Sequence, residues 1–173
     1  MHANRVLVHL GACLLSMTPP PRALRAASHM RMSSATNLAY DLDARFVELD
    51  LEDGSTGRAY LTEERPEEHR PRASRAIVLI PEAAGIDSSR TRHLADRLAV
   101  FCFAMVLVPD LNGGALAHDE SDETWVSSLA PRRVDAAMRD WTIYLRADHR
   151  VGPVALVGAG AAAEIMLRWV QHC

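Results

Sequence analysis

The stretch VALVGAGAAAEIML, residues 154–167, decides how this chain is read. Four apolar residues without alternation lead into Gly158-Ala159-Gly160, a row of alanines, and then apolar residues at helical spacing. A short continuous apolar run is the signature of a strand buried on both faces, as in a parallel sheet covered by helices. Two more runs of this kind lie upstream, AIVLI (76–80) and AMVLV (104–108). Between them DSSRTRHLADRLA (87–99) offers Asp87 or Ser88 as a helix N-cap and sets Leu94 and Leu98 four apart, facing the sheet. Ahead of the third run, Val134, Met138, Trp141 and Leu145 step by four, three and four along one helix face. Strand, helix, strand, helix, strand, helix predicts an α/β architecture with right-handed crossovers.

Upstream of Ser74 the pattern differs. RFVELDLE (45–52) alternates, with Val47, Leu49 and Leu51 on one face and Glu48, Asp50 and Glu52 on the other. Asp53-Gly54 is a turn signal and GRAYLT follows, so residues 45–62 read as an antiparallel hairpin. EERPEEHRPRAS (63–74) has neither helical nor strand period and reads as a polar surface connector. Residues 1–40 contain no Asp or Glu, carry Arg5, Arg22, Arg25 and Arg31, and hold the apolar stretch VLVHLGACLLSM (6–17). That stretch is too short for a stable membrane span. Followed by the Arg- and Ser-bearing PRALRAASHMRMSS, it reads as a targeting or disordered leader. An organellar or secretory route is then expected, and a cytoplasmic one if the leader is no signal. The domain division is therefore 1–40 and 41–173.

The 173 residues carry a net charge of −3, with 49% hydrophobic and 24% charged residues, which suits one soluble globular domain. No basic block lies in the body of the chain, which argues against nucleic acid as a partner. All 19 basic residues are arginine, so lysine nucleophiles and Schiff bases are excluded. Cys13, Cys102 and Cys173 make neither a disulfide framework nor a metal spacing, and Cys102 reads as a small core residue in a strand-like run. AHDESDETW (117–125) gathers His118, Asp119, Glu120, Asp122 and Glu123 without the spacing of a cation loop, and is read as a solvated acidic loop. No metal is expected.

In parallel sheets the chemistry lies beyond the carboxyl ends of the strands. Three loops qualify here: PEAAGI (81–86), PDLNGG (109–114) and GAGAAA (158–163). Gly158, Gly160 and Ala163 satisfy G-x-G-x-x-A, a dinucleotide fingerprint that would rest a pyrophosphate on helix N-terminal amides. That fingerprint belongs after the first strand of its sheet, with an acidic residue about 20 positions later. Here it follows the last run, so no cofactor is expected and nucleotide binding is the third-ranked reading. The same turn fits a nucleophile elbow, in which a strained strand-to-helix bend lifts a reactive atom above the sheet. In that register Gly160 holds the nucleophile position.

From about Phe46 to Trp169 the chain resembles the dienelactone hydrolases, a branch of the α/β-hydrolases. The resemblance rests on the opening hairpin with its Asp-Gly turn, on AIVLIPEAAGI, on VLVPDL, and on a helix bearing Asp135 that leads to VALVGAG. It implies an incomplete α/β-hydrolase fold: an N-terminal antiparallel hairpin, then three parallel strands with crossover helices, ending after the elbow helix. It implies a cysteine nucleophile at the elbow, a glutamate in the first loop, and a downstream aspartate and histidine, hydrolysing an ester or lactone through an acyl-enzyme. Glu82 matches the glutamate. Ala83 and Ala161 match the positions whose backbone amides form the oxyanion hole, a role that uses only N–H groups. Gly160 matches the nucleophile and has no side chain to serve. Ala162 and Ala163 stand where the family has paired glycines, and the downstream aspartate and histidine have no counterpart.

The expectation is therefore a truncated or degenerate dienelactone-hydrolase-like chain, inactive as written, with the apolar edge Val154–Val157 open to self-association. The alternative is a non-catalytic module holding an ester, lactone or carboxylate at the amides of Ala83 and Ala161. Ser127, Ser128, His93 and His149 are expected in loops or on helix surfaces, away from this site.

Overall fold

In a computed structural model of the chain, residues 41–65, 72–113 and 122–171 are described. The leader, the acidic-loop residues His118, Asp119 and Glu120, and Cys13 and Cys173 lie outside them. The chain opens with a hairpin, β1 (Leu42–Asp50) and β2 (Thr56–Glu64), paired antiparallel with Val47 opposite Ala59. Gly54, with φ +82°, makes the turn, and the Asp53 carboxylate accepts from the Ser55 amide at 2.9 Å and its hydroxyl at 2.6 Å. Then come β3 (Ala76–Leu79), α1 (Ser89–Cys102), β4 (Met105–Pro109), α2 (Asp122–Ser128), α3 (Pro131–Ala147), β5 (Val154–Val157) and α4 (Ala162–Gln171).

The five strands form one mixed sheet in the order β1-β2-β4-β3-β5. β2 lies antiparallel to β4, while β4, β3 and β5 run parallel. β3 and β4 are buried at every position, as continuous apolar runs demand. β5 has β3 on one side only among the described residues, and its Ala155 is exposed.

Each face of the sheet has its own core. On one, Val78, Met105, Leu107 and Leu61 pack against Val134, Met138, Trp141 and Leu145 of α3 and Ile165 and Met166 of α4. The helix face expected from the spacing of α3 is thus buried throughout. On the other, Tyr60, Ile77, Leu79, Val106 and Val108 pack against Ala95 and Ala99 of α1. Here the sequence reading needs correction. α1 turns its small residues to the sheet, and Leu94 is 46% exposed. Ala95 and Ala99, both 0% exposed, fill the contact, and Leu98 packs half-buried beside them as its spacing predicts. The Tyr60 hydroxyl donates to the Asp96 carboxylate at 2.8 Å across this gap. Burial, reinforced by Asp96, pushes that phenol far above its ordinary range.

Three further expectations are corrected. Cys102 is exposed at the end of α1, because Phe103 adopts a left-handed φ of 48° and closes the helix there. Ser127 and Ser128 lie in α2 rather than in a loop. The connector is not wholly superficial either. β2 continues through Glu64, and Glu63 is 1% exposed, with Arg72 clamping its carboxylate at 2.5–3.1 Å.

Candidate functional site

The topology locates the site before any side chain is considered. β3 and β5 are adjacent and parallel, yet the chain leaving β3 enters α1 on one face and the chain leaving β5 enters α4 on the other. In parallel sheets such a divergence is the place where a crevice is expected, beyond the carboxyl ends of the two strands. The first loop (residues 80–86) and the glycine turn (158–161) border it.

Their register is matched. Leu79 pairs with Val157, and the Ile80 amide donates to the Val157 carbonyl at 2.8 Å, so the strands stay together to their last residues. Counting four residues on from the paired Leu79 and Val157 reaches Ala83 and Ala161. Adjacent strands are about 4.8 Å apart, so the two loops begin side by side.

The turn after β5 is tight for two separate reasons. A Cβ on Gly158 would lie 3.1 Å from the Ala162 carbonyl oxygen and 3.2 Å from its carbon, so strand and helix approach too closely for a side chain there. Gly160 has φ +59°, the left-handed region that costs an L-residue about 1–2 kcal/mol. The amides of Ala162, Ala163 and Glu164 donate back to the carbonyls of Ala159, Gly160 and Ala161 at 3.0–3.2 Å, which winds the chain into α4. Small residues are required at this turn by geometry.

In the first loop Gly85, at φ +66°, closes a turn whose amide donates to the Glu82 carbonyl at 2.8 Å. Ala83 is 5% exposed. Glu82 is partly exposed, with a carboxylate oxygen 4.0 Å from the Arg90 guanidinium on α1, too long and too open for a firm ion pair. The loop leaving β4 joins the first through Asn112, whose side-chain amide donates to the Ala83 carbonyl at 3.2 Å. The indole of Trp125 on α2 donates to the Asn112 side-chain oxygen. Nothing in the residue pattern pointed to Asn112, since its partners come from three separate segments.

The four residues singled out from the sequence, Glu82, Ala83, Gly160 and Ala161, thus lie on the two loops that follow the adjacent parallel strands β3 and β5. Among the residues considered and set aside, His93 is on α1 and Ser127 and Ser128 are on α2. His149 lies between α3 and β5, at the amino-terminal end of the parallel strands. There its ring packs edge-on to Tyr144 at 4.9 Å, so it is less solvated than expected, though remote from the crevice.

No protein-family model matches the sequence, and no curated protein does. Solved structures do match. A putative dienelactone hydrolase from Klebsiella pneumoniae aligns with a TM-score of 0.62 at 18% identity over 76% of this chain and 55% of its own. A dienelactone hydrolase-like promiscuous phosphotriesterase from metagenomic libraries gives 0.51 at 23% identity over 74% and 54%. A cold-adapted esterase from an Arctic intertidal metagenomic library gives 0.56 at 14% identity over 76% and 54%. The chain thus spans just over half the length of each. At these identities the likeness establishes the fold: the described residues form part of an α/β-hydrolase fold.

Proposed function

We propose that this chain carries the acyl-binding part of an ester or lactone hydrolase site with its nucleophile missing, and that it binds an ester, lactone or carboxylate without turning it over. In this reading Gly160 occupies the nucleophile position, the backbone amides of Ala83 and Ala161 face the carbonyl oxygen, and Glu82 takes the place of the dienelactone hydrolase glutamate. The observation that carries the reading is the φ of +59° at Gly160, the residue at the bend between β5 and α4. A nucleophile elbow forces its central residue into this conformation to raise the reactive atom above the sheet. Its neighbours must be small, and Gly158, Ala161 and Ala162 are. A bare glycine at the centre leaves the electrostatic half of the site in place and removes the covalent half.

Gly160→Cys tests this. With p-nitrophenyl acetate, the introduced sulfur attacks the acetyl carbon as thiolate, having lost its proton to buffer. The carbon–oxygen bond breaks and p-nitrophenolate leaves, giving a thioester and a yellow signal. Oxyanion-hole donors are worth about 100-fold or more each, so acylation is expected to exceed that of a free thiol of equal pKa by at least about tenfold. Alkylation by iodoacetamide builds no oxyanion and should show no such gain. A folded Gly160→Cys variant that acylates no faster than the free thiol would refute the assignment of Gly160 to the elbow.

A further inference from the structure

Asn112, on the loop leaving β4, is bonded to both neighbouring segments. Its backbone amide donates to the Asp110 carboxylate at 3.0 Å, which fixes the loop leaving β4. Its side-chain nitrogen donates to the Ala83 carbonyl at 3.2 Å, and its side-chain oxygen accepts from Trp125. Trp125 is 2% exposed and anchored in the α3–α4 core, so the far end of this chain of bonds is rigid. The near end is the peptide that follows Ala83. The space beside it is fitted to the asparagine, since a Cβ on Gly85 would come within 3.4 Å of the Asn112 side-chain nitrogen.

We infer that Asn112 is a positioning residue: it transmits the rigid placement of Trp125 to the loop bearing Ala83 and so sets where the Ala83 amide points in the crevice. The inference rests on the site reading above for its functional meaning, and on the hydrogen bonds alone for its structural one. Ala83 and Ala161 sit on separate loops that follow the paired strands β3 and β5. An oxyanion hole works only if both donors meet one oxygen at about 2.7–3.1 Å, a tolerance that a free six-residue loop does not hold. A side-chain strap from a buried indole supplies the missing constraint.

The perturbation is Asn112→Asp. It is nearly isosteric and keeps an oxygen for the indole, but turns the donor facing the Ala83 carbonyl into a second acceptor. Two readouts are taken on the full chain. In the Gly160→Cys background, acylation by p-nitrophenyl acetate should fall at least about tenfold on adding Asn112→Asp, as expected for a misplaced donor. Alkylation by iodoacetamide should stay within about twofold, because a general loosening around the thiol would move both rates whereas a lost oxyanion contact moves one. Independently, amide hydrogen exchange at Ala83–Ile86 should quicken by about tenfold in Asn112→Asp alone, with the β3 and β4 amides unchanged.

Equal acylation with and without Asn112→Asp overturns the positioning role and leaves the site reading standing. If Gly160→Cys itself fails to acylate, the site reading falls, and exchange at Ala83–Ile86 then decides the strap: unchanged rates refute it. Should Asn112→Asp lose its cooperative melt, Trp125→Phe removes the indole donor with Asn112 intact and should shift both readouts in the same direction by a smaller factor.

Discussion

Two glycine-to-alanine changes should move stability in opposite directions, and the structure fixes which is which. Neither Gly158 nor Gly152 has a positive φ, so backbone strain enters neither case. Both substitutions gain about 0.4–1 kcal/mol by restricting the unfolded chain. At Gly152 the new methyl would meet the Ser74 carbonyl oxygen at 3.6 Å, an ordinary contact, and the gain stands. At Gly158 it would meet the Ala162 oxygen at 3.1 Å and carbon at 3.2 Å, closer by about 0.2–0.3 Å than comfortable packing. Those atoms are backbone at the start of α4, so relief requires the helix to slide off β5. Overpacking of this kind costs about 1–3 kcal/mol, which outweighs the entropic gain and leaves Gly158→Ala about 1 kcal/mol less stable. For a domain of this size that is a fall of about 3–4 °C in Tm, against a small rise for Gly152→Ala. Urea unfolding followed by tryptophan fluorescence reads both values. A Gly158→Ala chain as stable as Gly152→Ala would mean that α4 does not crowd the end of β5, and the tight turn would go with it.

Removing the guanidinium by Arg72→Ala should cost about 2 kcal/mol, because Glu63 stays buried without its partner. Arg139→Ala, which breaks the exposed pair with Glu52, should cost no more than about 0.5 kcal/mol in the same urea titration. A similar loss for both would contradict the buried placement of Glu63. The stability of the wild-type chain should also fall below pH 6.5 through His149. Its Nδ1 is buried without a hydrogen-bond partner. Burial, then the nearby Arg72 and Arg45, lowers its pKa from the ordinary 6.5, against the weaker opposing pull of Glu63 and Asp148. The unfolded chain therefore binds this proton first, so the contribution is complete above pH 6.5 and drains away as the pH drops toward the folded value. Urea midpoints between pH 7.5 and about 5 should slope less steeply in His149→Phe than in the wild type; identical slopes would remove His149 as the cause.

How much of this was legible in the residues follows from what each signal measures. VALV marked β5 although its Ala155 is exposed, while AIVLI and AMVLV marked β3 and β4 because burial on both faces leaves only one kind of residue to choose. Val134, Met138, Trp141 and Leu145 marked α3 for the same reason. α1 misled at Leu94 alone: Leu98 packs on the sheet as its spacing predicts, but the fully buried positions are Ala95 and Ala99. Its end was hidden too: the left-handed closing residue is Phe103, where a sequence signal would be glycine or asparagine. Glu63 and Arg72 look like solvated charges in a polar stretch, and only the pairing across nine residues reveals burial. Glu82, Ala83, Gly160 and Ala161 are singled out through the resemblance to the dienelactone hydrolases, which ties roles to positions just after the strand ends. Asn112 could not be, since its role depends on loops that meet only in three dimensions.

The matched ends of β3 and β5 carry a consequence for how readily this surface changes its chemistry. The spacing between the two loops is inherited from backbone pairing, Leu79 with Val157, and owes nothing to the side chain at position 160. Residue identity there can turn over while the surroundings stay as they are. Two of the four glycine codons lie a single base from those of cysteine and of serine, so a reactive atom can be gained or lost at this bend in one mutational event, at a conformational cost of about 1–2 kcal/mol for the left-handed φ.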